Sequence, residues 1–365
     1  MLAKRLAATL QGVLLLSILG CGEQPELSEP VGAVPADAAL ALHGTRVVAA
    51  VNSGGDIRLG RLVGLDFDET GKLDSGDPAL GVALVASTEA VWVAETRCEG
   101  VLEGLDDDQR CSGHQYVQIS RTDDGGESAE AVFDSRKSGL TGLGAPRVSG
   151  KMWLSRSSVV AVLSDDTSSR SALVSIDGSS ATLLGSFERL RSACAARSGI
   201  YVVEASPSDE FQRMVDVRLE FWDSGDWREI PQPKYAEPPF DVQLGCTRES
   251  GVLVASERGR VELFDLRNGG EVGAATQLEG AVTLIEGPVT GVVGLRSVSL
   301  SDGSDLQSTA WAYSADRLSK VVTNPPIQPE EHIVLLDADA DGIVTRVLVQ
   351  PVESMSLRAK DPVGP

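Results

Sequence analysis

From residue 39 onward the chain alternates apolar runs of about four to eight residues with clusters of Gly, Asp, Ser and Asn. Runs of that length, rich in Val, Leu and Ile and bounded by turn residues, are the pattern of strands. A helix needs apolar positions every three to four residues over a longer window. Strands are predicted at Arg46–Asn52, Val91–Glu95, Val159–Ser164, Ile200–Glu204, Val252–Ser256 and Thr345–Gln350. Pro231–Pro239 reads as a connection, because proline has no N–H to give to a ladder.

Many runs are paired about a polar turn. Val217–Ile230 has this form, as do Val261–Val272, Ala172–Leu184 around Asp177-Gly178, and Thr309–Val322 around Ala315-Asp316. Val63–Leu73 is read the same way, with its turn at Glu69-Thr70-Gly71-Lys72. Turn centres near residues 70, 124, 178, 224, 268 and 316 lie roughly 44 to 54 apart, close to the period of a four-stranded propeller blade. A second element repeats one period apart: Cys194-Ala-Ala-Arg-Ser-Gly-Ile-Tyr-Val aligns with Cys246-Thr-Arg-Glu-Ser-Gly-Val-Leu-Val.

Thr122-Asp-Asp-Gly-Gly-Glu-Ser-Ala129 resembles the Asp-box hairpin of BNR-type propellers. Asp124 and Gly126 hold the matching places, Ser128 replaces Thr, and Ala129 replaces the aromatic. The resemblance covers one hairpin and implies a structural turn rather than an activity. The expected fold is all-β: a β-propeller over residues 39–351, seven-bladed with six as the alternative. A two-sheet sandwich array, or two smaller β-domains, is the other architecture. A closed ring requires the first and last blades to pair, since open edges leave backbone groups unsatisfied. Glu331–Pro351 supplies the last strands.

The N-terminus sets the expected address. Met1–Arg5 is basic, Leu6–Leu19 is mostly apolar, and Gly20-Cys21 follows. This run is shorter than the twenty or so residues that cross a bilayer and has the form of a secretory signal peptide. Ile18-Leu19-Gly20-Cys21 resembles the lipobox of bacterial lipoproteins, which implies a signal peptide at 1–20 and lipidation of Cys21. Three acyl chains at about 0.8 kcal/mol per methylene exceed reversible binding, so the anchor holds. Gly22 is not the Asp of inner-membrane retention, which favours the outer membrane. Residues 21–38 then form a proline-rich acidic linker with a reach of about 50 Å, and residues 352–365 a disordered tail.

Composition narrows the partners. The formal net charge of −21 becomes more negative once Lys4 and Arg5 leave with the signal peptide. Such a surface repels phosphate backbones, so nucleic acid is not an expected partner. Apart from Cys21 there remain Cys98, Cys111, Cys194 and Cys246, an even number in an exported chain. The expected disulfides are Cys98–Cys111, closing a local acidic loop, and Cys194–Cys246, joining matching repeat positions.

Candidate chemistry is sparse. Asp337-Ala-Asp-Ala-Asp-Gly342 places aspartates at alternate positions before a glycine, the way a tight loop presents oxygens to Ca²⁺. It resembles the calcium loops of integrin-type propeller repeats, which implies Asp337, Asp339 and Asp341 as ligands with the Ile343 carbonyl. Thr345 stands where that family has a further aspartate. Ca²⁺ is the one cofactor expected, bound weakly. Asp66-Phe-Asp-Glu-Thr-Gly71 repeats the spacing loosely and reads as a hairpin turn. Asp106-Asp107-Asp108 reads as a solvated loop tip, and the five tryptophans as blade packing.

There is no Gly-x-Ser-x-Gly, no His-Glu-x-x-His, and no phosphate or dinucleotide loop. The expected function is a monomeric, non-enzymatic binding or scaffolding lipoprotein with a protein partner in the envelope. In plan it is similar to the propeller lipoprotein of the outer-membrane β-barrel assembly machine. The alternative is a surface glycan-binding module or a hydrolase of sialidase-like propeller type. That reading expects Arg, Tyr and carboxylates to converge at the channel mouth.

Overall fold

The computed structural model describes residues 38–351 apart from residues 64–65, 74–75, 105–108, 123–128, 139–141, 156–157, 179, 208–212, 258, 268–270, 274–275, 286–290, 301–305, 315–316, 322–325, 329–330 and 339–343. Every regular element among the described residues is a strand. The first sheet contains β1–β4 (Ala39–His43, Arg46–Ser53, Asp56–Val63, Asp66–Leu73). The second contains β5 (Ala79–Ala86), β6 (Val91–Glu99), β9 (His114–Thr122) and β10 (Glu130–Asp134), with the small pair β7 (Leu102–Glu103) and β8 (Arg110–Cys111) inserted after β6. The third contains β11–β14 (Pro146–Ser155, Ser158–Asp165, Ser171–Asp177, Ser180–Phe187), and the fourth β15–β18 (Leu190–Ala195, Ile200–Pro207, Met214–Asp223, Asp226–Ile230). The fifth contains β19–β23 (Asp241–Cys246, Gly251–Glu257, Arg260–Arg267, Glu271–Val272, Thr276–Glu279), and the sixth β24–β27 (Ala281–Ile285, Val293–Leu300, Leu306–Ser314, Arg317–Val321). The seventh holds β28 (Glu331–Ala338) and β29 (Val344–Pro351).

All the strand ladders are antiparallel, and in six sheets the chain steps outward from a first, inner strand. The first and second strands of successive sheets adjoin around a circuit. β5 lies against β1 and β11, and β15 against β11 and β19; β19 meets β25, β24 meets β28, and β28 returns to β1. Seven apolar clusters fill the seven gaps between successive sheets. This is a β-propeller, with its core divided into radial wedges rather than gathered at one centre.

The wedges explain the uninterrupted apolar runs. In β20, Leu253 and Ala255 face the cluster shared with the fourth sheet, while Val252 and Val254 face the one shared with the sixth. β16 divides its side chains likewise: Tyr201 and Val203 go one way, Ile200 and Val202 the other. Alternate side chains of a strand point to opposite faces, so a sheet packed on both sides needs apolar residues at every position. Burying each such side chain contributes about 1.5–3 kcal/mol. Turns between third and fourth strands supply the polar punctuation; Ser224 (φ 58°) and Gly225 (φ 127°) form one between β17 and β18.

One expectation is corrected. Residues 69–72 are not a turn: they lie within β4, which pairs with β3 from Val63↔Asp66 to Ile57↔Leu73. Leu59 faces Gly71 and Gly60 faces Glu69, so Thr70 is an extra residue in the ladder. That bulge reverses the facing of the strand, which lets Phe67 join the wedge with the seventh sheet and Leu73 the wedge with the second. Gly60 makes room for Phe67, whose ring a Cβ there would meet at 2.5 Å. At the closure, Val334 of the seventh sheet packs into the cluster of Val47, Ala49, Val51 and Leu62 of the first, so apolar side chains of the two sheets are buried together.

Candidate functional site

Most residues singled out by the calcium motif fall outside the described residues: Asp339, Asp341 and Ile343 do so. Asp337 lies in β28 opposite Arg346, between two register shifts, and Thr345 lies in β29. Among the described residues no three His, Cys, Asp or Glu side chains are close enough to hold a metal. Asp124, Gly126 and Ser128 also lie outside them, between the paired strands β9 and β10, as does Cys21. Both expected disulfides are present. Cys98–Cys111 has an S–S distance of 2.02 Å, and Cys194–Cys246, joining the ends of inner strands β15 and β19, has 2.07 Å.

The second sheet departs from the repeat by an insertion. Elsewhere the described second and third strands follow one another directly, but β6 and β9 are separated by an arm containing β7 and β8. The arm's foot is fixed in three ways. Cys98 is buried and bonded to Cys111. Ser112 N–H donates to the Val101 carbonyl at 3.0 Å, and Val101 N–H donates to Ser112 Oγ at 3.2 Å. Gly100 and Gly113 lie back to back, where a Cβ on Gly113 would meet the Glu99 carbonyl oxygen at 2.1 Å. At the foot Val101 is 67% exposed, the most exposed large apolar side chain described.

Beneath the arm lies a buried polar network. Arg97 donates to both oxygens of Glu95, from Nε at 3.1 Å and from Nη2 at 2.9 Å. It also donates to the carbonyls of Leu73 (3.0 Å) and Asp77, tying β6 to the connection from the first sheet. Burial pushes the Glu95 carboxyl up, against the pull of Arg97. Tyr116 donates to Asp77 Oδ2 at 2.8 Å, while the Arg136 guanidinium sits 3.6 Å from the Tyr116 ring centre and pairs with Asp134 at 2.9 Å.

Gln115 extends the network to the third sheet, donating to Asp166 Oδ2 at 2.8 Å and to the Pro146 carbonyl at 3.2 Å. Next to it Asp165 accepts from the N–H groups of Gly144, Ala145 and Thr167 and from the hydroxyls of Thr167 and Ser168, at 2.7–3.1 Å. Burial opposes ionisation there, but the donors from Thr167, Gly144 and Ser168 outweigh it and hold the carboxyl well below the usual carboxylate range.

The hydrogen bonds of these groups fix loops. Glu95 and Arg97 are consumed by each other and by carbonyls. His43 approaches the Ser87 carbonyl oxygen at 2.7 Å, His114 opens β9, and His332 lies in β28, on three different sheets. Tyr201 and Tyr313 are buried within wedges, whereas Tyr116, also buried, meets Asp77 and Arg136 at the foot of the arm. The tryptophans pack against sheet clusters: Trp92 between second and third sheets, Trp153, Trp222 and Trp227 around the fourth, Trp311 between fifth and sixth. Sequence reasoning missed the Glu95–Arg97 pair; its signal was two opposite charges, two apart, inside an apolar strand.

No family model and no curated protein matches the chain. Among solved structures it is similar to the β-propeller domain of the Trilobed protease from Pyrococcus furiosus, at 12% identity and a TM-score of 0.47, over 86% of this chain and 95% of that one. It is also similar to an acylaminoacyl peptidase of Pyrococcus horikoshii, at 9% identity and a TM-score of 0.47, over 78% of this chain and 45% of that one. A subtype N10 neuraminidase-like protein of A/little yellow-shouldered bat/Guatemala/060/2010 has 10% identity and a TM-score of 0.41, over 81% of this chain and 96% of that one. At these values no activity carries over. The sheet order and the circuit of wedges define the class.

Proposed function

We propose that this chain is an exported, lipid-anchored propeller that binds a protein partner in the bacterial envelope and catalyses no reaction. The observation that carries the reading is the arm between β6 and β9. It is clamped by Cys98–Cys111, braced by the Arg97 network, and presents Val101 to solvent. A rigid element that exposes an apolar side chain loses little conformational freedom on binding, which is what a protein contact favours. The two disulfides suit an oxidising compartment. Ile18–Cys21 supplies the anchor through its lipobox resemblance, with the outer membrane as destination.

The test places a photo-crosslinking amino acid at Val101 in native envelopes, with Leu183, 46% exposed on β14, as the control position. A discrete adduct from position 101 and none from 183 is expected. Equal labelling from both positions, or from neither, sinks the reading. Cys21→Ala should release the protein from the membrane fraction and abolish acyl labelling; labelling that survives the change overturns the anchor.

A further inference from the structure

We propose that the arm between β6 and β9 docks on a protein embedded in the membrane that anchors the chain, with Val101 entering an apolar recess rimmed by lysine or arginine. The inference rests on the reading of the chain as a lipid-anchored, protein-binding propeller. It adds the side of the ring on which the site stands and the class of partner that meets it. Val101 is 67% exposed on a foot held by Cys98–Cys111, so the site keeps its shape before a partner arrives.

Strand direction decides the side. β1 ends at His43, whose Nδ1 lies 2.7 Å from the carbonyl oxygen of Ser87, just past the end of β5. The first strands of the first two sheets therefore run the same way, and their starts, Ala39 and Ala79, share the other side of the ring. The course of β2 agrees. It runs back antiparallel to β1, and beyond its end the Gly55 carbonyl accepts from the Ala79 N–H at 2.7 Å. Asn52, near the end of β2, donates to the Ala79 carbonyl at 3.0 Å. β6 is antiparallel to β5, with Ala86 opposite Val91 at one end and Ala79 opposite Arg97 at the other. The arm that follows Glu99 thus projects from the side on which β1 begins.

The linker to the anchor enters on that side. Cys21 precedes β1 by a segment with a reach of about 50 Å, so the acyl chains hold this side of the ring next to the membrane. From Ala39 the foot of the arm lies one wedge and one ladder away, about 15 Å. The β5–β6 turn stands on the far side, about 27 Å away along the nine residues of β6.

Chemistry selects among the occupants. Val101 is flanked by the exposed acids Glu99 and Glu103 against one exposed base, Arg110, and the same disulfide loop carries Asp106, Asp107 and Asp108 in its sequence. With a formal net charge of −21 the chain is repelled by anionic head groups, and one valine buries far less apolar surface than an acyl chain. Bare lipid is therefore a poor occupant, and a second copy would bring an arm of the same sign. A protein surface with an apolar centre and a basic rim complements both features.

The experiment uses the full lipidated chain in native envelopes, with a photo-crosslinking amino acid at Val101 or at Glu89, an exposed residue of the β5–β6 turn. The protein joined to position 101 is identified by mass spectrometry, and its uncrosslinked form is followed through alkaline carbonate extraction. It should stay in the membrane, and position 89 should give no adduct with it. Cys21→Ala, at equal expression, should lower the adduct roughly tenfold or more, because the anchor supplies the effective concentration. Glu103→Lys should lower it several-fold and leave the melting temperature unchanged. The proposal is overturned if carbonate strips the partner, if the adduct is with lipid or a second copy, or if position 89 labels the same protein equally. It is also overturned if the yield is indifferent to Cys21→Ala or to Glu103→Lys. A discrete adduct from position 101 to a soluble protein would leave the partner-binding reading in place while this inference fails; no adduct from 101 fails both.

Discussion

Arg97 and Glu95 stand two residues apart on one face of β6, both buried, with Nη2 and Oε1 2.9 Å apart. An ion pair in that position is costly to break, because the surviving charge has neither water nor partner.

Arg97→Ala is accordingly expected to destabilise the chain by about 3–5 kcal/mol in urea unfolding. The double change Glu95→Leu with Arg97→Leu should recover much of that loss, since apolar residues replace a buried pair at little cost. Recovery should be incomplete by about 1–3 kcal/mol, because the carbonyls of Leu73 and Asp77 lose their donor. A single variant as stable as the parent would show that the pair contributes nothing to the foot of the arm.

Asp165 gives a pH dependence of defined sign. Its folded-state pKa is depressed below the ordinary 3.8, so its contribution is present above that value and is lost as pH falls toward the folded pKa. Asp165→Asn should cost about 2–4 kcal/mol near neutral pH, through weakened charge-assisted bonds. The gap between parent and variant should narrow below about pH 4. A gap that stays constant to strongly acidic pH would assign the effect to geometry rather than ionisation.

The disulfides should map as Cys98–Cys111 and Cys194–Cys246 in non-reducing peptide analysis. In the chain-entropy model the first is worth about 3 kcal/mol and the second, closing a longer loop, about 4 kcal/mol. Replacing Cys194 and Cys246 together by Ser should lower the melting temperature more than replacing Cys98 and Cys111. Free thiols or crossed pairs would reject the assignment.

Calcium at Asp337, Asp339 and Asp341 is testable without reference to any activity. Millimolar Ca²⁺ should raise the melting temperature, and Asp339→Ala should remove the rise. A melting curve indifferent to calcium would make the segment an acidic turn between β28 and β29.

The hairpins at residues 178 and 224 were legible because each is a local event: two strand-forming runs joined by a residue at positive φ. The Cys194–Cys246 bond was legible because two equivalent positions in successive repeats meet at equivalent places on neighbouring inner strands. The hairpin at Glu69–Lys72 misled because Thr70-Gly71 is turn-like chemistry, while the facing demanded by Phe67 and Leu73 is set by two different wedges. The arm was readable as a loop closed by cysteines, but not the Arg97 network at its foot, whose backbone acceptors lie at the end of β4 and in the connection after it.

By itself the sequence determined the strand content, the blade-length period and the disulfide partners, since all three depend on residue type over distances of one repeat. The tertiary structure decided which sheets share each apolar wedge, where the bulge in β4 falls, and which charges are buried together. Those outcomes depend on which face of one sheet meets which face of another: Val334 reaches Val47 across nearly the whole length of the chain, and no local pattern encodes that meeting.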